Sequence, residues 1–196
     1  AAIYGAVSGL PQSRSVQRVT LELGVLEYES AGLRFRTRAY NRSIPGPPIY
    51  VDAGTTLELT LINSLASGGD GPVPHLASGH ETPCDPTNCS SNVTHGYTPF
   101  MTPNATNLHT HGLHTSSLAP GDDVLFTTVA PGRQHTYIYN IPADHMGGTF
   151  WYHPHLEGSV ALQTAGGAAG LLVIRDSHRS GLSKQVLAMD EQVMLI

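Results

Sequence analysis

The chain predicts an all-β sandwich carrying one long irregular loop insertion. Three observations lead there. Short runs rich in Val, Thr, Leu, Ile and Tyr alternate with polar residues at a period of two, as half-buried strands do. Gly and Pro are frequent, 21 and 14 of 196 residues, and they punctuate those runs with turns. Charged residues are sparse, a mix that favours packed sheets with many turns over a helical fold.

Taken in order, residues 1–15 lack a pattern and read as an N-terminal arm. Residues 16–28 alternate well and predict a strand. Residues 33–40 predict a second strand, with Leu33, Phe35 and Thr37 on one face and arginines on the other. The short Ala31-Gly32 connection makes the two a hairpin. Ile44-Pro45-Gly46-Pro47-Pro48 reads as a rigid bend. A short strand follows at 49–51, then a turn at Ala53-Gly54 and a strongly alternating strand at 55–63.

Residues 64–103 differ in kind. They are rich in Gly, Ser, Thr, Pro and Asn and show no periodicity, which in a compact domain marks a functional loop or an insertion. His75, His80 and His95 lie here, as solvated loop histidines, as part of a lid over a metal site, or as an adventitious metal binder. Cys84 and Cys89 are the two cysteines, and their loop context suggests a disulfide-closed turn. Neither has a histidine at ligand spacing. Asn-x-Ser/Thr sequons occur at Asn41, Asn88, Asn92 and Asn104, which fits surface glycosylation of a secreted chain. With the cysteines they point to a secreted or extracytoplasmic setting, periplasmic in a bacterium.

Strands are then expected at 107–111, 134–141 and 149–153. The connections are the loop opening at Gly121-Asp122-Asp123, the Pro131-Gly132 turn and the 142–148 loop. Residues 160–169 are small and Gly-rich and suggest one helical turn plus a close crossing. Residues 170–174 read as an apolar strand buried on both faces. Residues 177–184 form a polar linker. Residues 185–196 begin a new apolar run, expected to start a further strand in a following domain, as though the chain were cut from something longer.

Charge excludes some partners. The net charge is −5, and Lys184 is the only lysine. No basic patch is therefore available for nucleic acid or an anionic membrane. No apolar run approaches the length that spans a bilayer.

The chemistry concentrates in two His-x-His pairs, His109-Thr110-His111 and His153-Pro154-His155. On a strand, residues i and i+2 leave the same face with Cα atoms about 6.7 Å apart. On a helix they would diverge by about 200°. Two facing strand pairs bring four imidazoles over one small volume, enough for two or three metal ions. A single such pair is ordinarily an exposed or hydrogen-bonded feature; two in one apolar setting point to metal. Imidazole suits copper, zinc, iron and nickel alike, so spacing does not choose among them.

The wider motifs resemble a known family. Leu108-His109-Thr110-His111-Gly112-Leu113-His114 and Gly148-Thr149-Phe150-Trp151-Tyr152-His153-Pro154-His155 resemble the copper motifs of the N-terminal cupredoxin domain of multicopper oxidases, which include laccases and ferroxidases. Asn41 to Pro47, Val51 to Leu61, Ala130-Pro131-Gly132 and Ala169 to Ile174 add to the likeness. It spans residues 16–176 apart from the long loop. The resemblance implies a Greek-key β-sandwich of cupredoxin type over those residues. It implies that this domain supplies half of a trinuclear copper cluster that reduces O2 to water while small substrates are oxidised one electron at a time. By position, His109 looks like a ligand of the type 2 copper, and His111, His153 and His155 look like ligands of the type 3 pair. Asp122 looks like the acidic residue near the type 2 ion, orienting a bound water or relaying protons. Asp123 is its alternative, and a turn-forming role is open for either.

Trp151 and Tyr152 are expected to pack around the cluster. His114, His135, His145 and His178 have no motif support. Where relatives often read His-Pro-His-Leu-His-Gly, this chain has Glu157. By alternation Glu157 shares a face with His153 and His155, as a second carboxylate beside the imidazoles or as surface variation. The electron-entry type 1 copper of the family needs a His-Cys-His pattern that neither cysteine provides. The resemblance therefore implies a partner, the C-terminal cupredoxin domain of the same or another chain, without which this chain is inactive as an oxidase. A non-enzymatic copper-binding or storage module and a structural domain with a vestigial site are the other readings. A zinc hydrolase fits poorly, because only Asp122 or Glu157 offers a general base.

Overall fold

The computed structural model describes residues 14–66, 102–175, 182–190 and 192. Cys84, Cys89, Asn88, Asn92, His75, His80, His95 and His178 lie outside them, as does most of the long loop.

Among the described residues eight strands form two four-stranded sheets. The first has the order β2-β1-β4-β6, from β1 (Val16–Ser30), β2 (Leu33–Tyr40), β4 (Thr56–Asn63) and β6 (Gln134–Asn140). The second has the order β3-β8-β7-β5, from β3 (Gly46–Asp52), β5 (His109–His111), β7 (Gly148–His153) and β8 (Gly170–Arg175). The β1–β4 and β3–β8 pairs run parallel, and the remaining pairs antiparallel. The expected all-β sandwich is what forms.

Alternation builds the core. In β4, Leu57, Leu59 and Leu61 point inward beside Tyr139, Tyr137 and His135, their register partners on β6. Leu21 and Leu23 of β1 join them. From the other sheet come Ile49, Val51, Tyr152, Leu172 and Ile174. Strand β1 is long because it serves two partners. Its first half pairs with β4, and its second half, from Leu23 onward, pairs with β2. The Ala31-Gly32 turn has both residues at positive φ, as the hairpin reading required.

Three expectations are corrected. Strand β8 is not buried on both faces: Gly170, Leu172 and Ile174 are buried, while Leu171 and Val173 are half-exposed. One face of it is the core and the other is the outside of the sandwich. In the stretch expected to begin a strand, Lys184–Leu187 is a short helix, α2. Ser183 caps it by accepting a hydrogen bond from the Val186 N–H. The sequon asparagine Asn104 is not on the surface. It is 6% exposed, its amide donates to the Ala66 carbonyl, and its oxygen accepts from the Arg38 guanidinium.

Residues 160–169 contain the expected helical turn, α1 (Val160–Ala165). Its one buried residue is Gln163. That side chain donates to the carbonyls of Pro103 and Ala105 and accepts from the Thr106 hydroxyl. A six-residue helix is too short to stand by propensity. It holds by fastening the segment that leads into β5.

Candidate metal centre

Strands β5 and β7 place the histidines on the outer face of their sheet. Thr110 and Tyr152 are paired in register and point into the core, where both are buried. His109, His111, Trp151 and His153 therefore all point the other way. His109 lies opposite His153, and His111 lies opposite Trp151. Side chains directly opposite across an antiparallel pair sit about 5 Å apart, and the rings obey this. Ring centroids are 5.3 Å apart for His109 and His153, and 5.4 Å for His109 and His111.

One ring nitrogen from each of His109, His111 and His153 lies within 4.8 Å of the others. His155 joins from the edge, its ring 5.2 Å from His109 and 6.0 Å from His153. It is not on a strand. Strand β7 ends at His153, and Pro154 has no N–H to extend the ladder. Strand alternation therefore does not place His155, and it fails for Glu157 as well. Glu157 lies in an exposed turn beyond the strand end, and its carbonyl accepts from the Thr102 hydroxyl.

Two of the rings are fixed through Nδ1, His153 by a carbonyl and His109 by a carboxylate. The Pro154 carbonyl can only accept, so His153 Nδ1, 2.8 Å away, carries the hydrogen. That leaves His153 Nε2 as a bare lone pair. It is buried and has no hydrogen-bond partner among the described residues. An orphaned buried acceptor is costly, and a metal ion would satisfy it. Burial pushes the His153 pKa below its ordinary value, with the Pro154 hydrogen bond opposing and the neighbouring imidazoles assisting. The ring is thus kept neutral, the form that binds metal.

Asp122 does the corresponding work for His109. Its Oδ2 lies 2.6 Å from His109 Nδ1. Its Oδ1 accepts from the Thr110 N–H at 2.9 Å and from the Thr110 hydroxyl at 3.2 Å. Asp123 is committed elsewhere: its carboxylate accepts from the N–H groups of Leu125 and Phe126 and so caps its own turn. Trp151 stacks on His153 at 4.0 Å and on His111 at 5.1 Å, walling one side of the centre.

His145 is a structural residue. It is 5% exposed, its Nε2 accepts from the His114 N–H, and its Nδ1 donates to the Met146 carbonyl. Sequence reasoning missed Asn107. It is fully buried and hydrogen-bonded both to the acidic loop and to the backbone of His155. The available signal was a polar side chain in a strand lead-in otherwise shaped for the core.

Comparison with known proteins bears on the same face. A family profile described as multicopper oxidase matches residues 93–179, which contain both histidine pairs. Laccase-2 of Thanatephorus cucumeris is 31% identical over 139 residues, covering 70% of this chain and 17% of that protein. Iron transport multicopper oxidase FET3 of Saccharomyces cerevisiae is 40% identical over 74 residues, 36% of this chain and 11% of that protein. Among solved structures, a multi-copper oxidase from Pseudomonas thermotolerans superposes with a TM-score of 0.57 at 22% identity, over 84% of this chain and 30% of that one. The matched stretch is less than a third of the length of each of these proteins.

Proposed function

Since this chain is a laccase-like cupredoxin domain of the multicopper oxidase kind, we propose that it supplies half the ligands of a trinuclear copper cluster in a secreted oxidase. The observation that carries the proposal is the convergence of three imidazoles, one of them presenting a buried Nε2 that has no partner among the described residues. The donor set fits copper, since neutral imidazoles accommodate both of its common oxidation states. His109 would hold the type 2 ion, and His111, His153 and His155 the type 3 pair. Copper held there would provide the redox chemistry by which O2, with four electrons and four protons, is reduced to two waters.

The chain's own residues do the rest. Asp122 holds His109 so that Nε2 faces the centre, and its carboxylate, 2.6 Å from His109 Nδ1, is a group able to take up or pass on a proton. The Pro154 carbonyl fixes the His153 tautomer in the same way. Trp151 excludes water from the side of His111 and His153. Electrons would enter from a type 1 copper in a further cupredoxin domain, drawn from a small one-electron reductant. Leu118, Leu125 and Phe126, on the loop that carries Asp122, are strongly exposed. Such side chains suit a face that a further domain covers. The relatives are oxidases, which favours this reading over a storage module.

The test is copper per chain on purified protein, with EPR and a visible spectrum on the same sample. One or two coppers without a blue band, lost in His153→Ala, is the expected result for this chain alone. Absence of copper after reconstitution, or undiminished copper in His153→Ala, would sink the proposal.

A further inference from the structure

His155 is the histidine whose position the sheet does not explain. The β5–β7 register ends at His153, and Pro154 contributes no N–H. What holds the backbone at His155 is a side chain 48 residues earlier. The His155 N–H donates to Asn107 Oδ1 at 2.7 Å. The other end of the same amide, Asn107 Nδ2, donates to the Val124 carbonyl at 3.0 Å. The orientation of the amide is fixed by this pair, since an N–H needs the oxygen and a carbonyl needs the nitrogen. Val124 follows directly on Asp122 and Asp123, so the loop gripped by Asn107 is the one that presents the Asp122 carboxylate to His109 and Thr110. Asn107 is 0% exposed, and Thr106 contacts its carbonyl.

Resting on the copper-binding reading above, we infer that Asn107 is a positioning residue for the centre. One buried amide sets the reach of His155 and ties it to the loop bearing Asp122, and both groups meet His109. It touches no metal and no substrate. It acts through His155, much as the carboxylate acts through His109. Groups that orient metal ligands typically change metal affinity ten- to a hundredfold when removed.

The experiment uses the full chain, Cu(II) as the probe, and a double-mutant cycle. Asn107→Ala is expected to weaken Cu(II) binding about tenfold, and His155→Ala to weaken it at least as much. Adding Asn107→Ala to His155→Ala should then cost little more, because the amide acts through that imidazole. Equal losses in both backgrounds would mean a merely structural amide and would overturn the inference. So would no loss at all. Hydrogen exchange of the His155 amide in metal-free protein reads the contact without copper, and separates this inference from the functional reading. Faster exchange in Asn107→Ala is expected, and unchanged exchange would overturn the inference even if copper binds normally. Wild-type protein that binds no copper would overturn the functional reading and, with it, a ligand-positioning role. Should Asn107→Ala not fold, Asn107→Asp keeps an acceptor for the His155 N–H. Retained protection there supports the inference, and loss of protection in the folded variant overturns it.

Discussion

Asp122 acts on two groups at once, and the division of labour between its oxygens gives the first prediction. One oxygen holds the His109 ring, and the other holds the Thr110 N–H and hydroxyl, which fixes the carboxylate against the strand. Asp122→Ala frees the imidazole to rotate and should lower Cu(II) affinity about ten- to a hundredfold by titration. Asp123→Ala removes a turn cap instead. It should cost stability of about 1 kcal/mol and leave affinity nearly unchanged. Equal effects of the two on affinity would refute the separation. The two aspartates are adjacent, and the sequence left both roles open because the choice depends on which carboxylate the loop turns toward β5. A second residue reports pH. His135 lies in the inward row of β6, and burial lowers its pKa from 6.5, while Asp123 opposes. The folded state thus resists protonation. Its contribution is fully present above pH 6.5 and is lost as pH falls through the depressed value. Metal-free protein should lose stability as pH falls from 6.5 toward that lowered value, and His135→Gln should flatten the profile in urea melts at several pH values. An identical slope in the variant would contradict the assignment.

At the scale of elements, strand β7 is shared between two tasks. Phe150 and Tyr152 face the core side, and Trp151 and His153 face the metal centre, so packing on one side sets geometry on the other. Tyr152 is clamped: its hydroxyl donates to the Pro47 carbonyl at 2.7 Å. A Cβ added at Gly46 would lie 2.7 Å from that hydroxyl, and one added at Gly170 would overlap the ring itself. Gly170→Ala must push Tyr152 and β7 outward. The expected cost is about 1–3 kcal/mol in chemical denaturation, with weaker Cu(II) binding although no ligand is touched. A variant as stable as wild type would show that the ring yields freely. Helix α1 makes the complementary case. Gln163→Ala removes three buried hydrogen bonds that fasten the chain before β5. It should destabilise by about 3 kcal/mol, since each stranded partner costs about 1 kcal/mol or more. These elements explain what was legible. Period-two alternation marks strands and their inward faces, so β1, β4, β6 and β7 could be read directly, and His109 and His111 came with β5. The helix at Lys184–Leu187 rests on one capping serine and lies in an apolar run that alternation reads as strand. The contacts of Asn107 and Gln163 join residues 17 to 60 positions apart, and no local pattern encodes them.

The whole molecule carries a site on its outside rather than in its core, and this decides how metal and fold are coupled. The sandwich closes around Leu, Tyr and Ile side chains without help from the histidines. The domain should therefore fold without copper, unlike a chain whose core is its metal site. Copper should still stabilise it, because the unfolded chain cannot hold three imidazoles together. At free Cu(II) a hundredfold above its dissociation constant, the gain is about 2.7 kcal/mol and grows with the logarithm of concentration. The unfolding midpoint should rise accordingly in a thermal or urea titration and return on chelation. His153→Ala should abolish the shift, since it removes the buried donor from the set of three. The shift should also shrink on acidification, because protons compete for the same ring nitrogens. A midpoint indifferent to Cu(II) at neutral pH would mean that the three imidazoles do not act as one site in this chain. An unfolded metal-free chain would mean that the core does not suffice, and that the outer face takes part in folding.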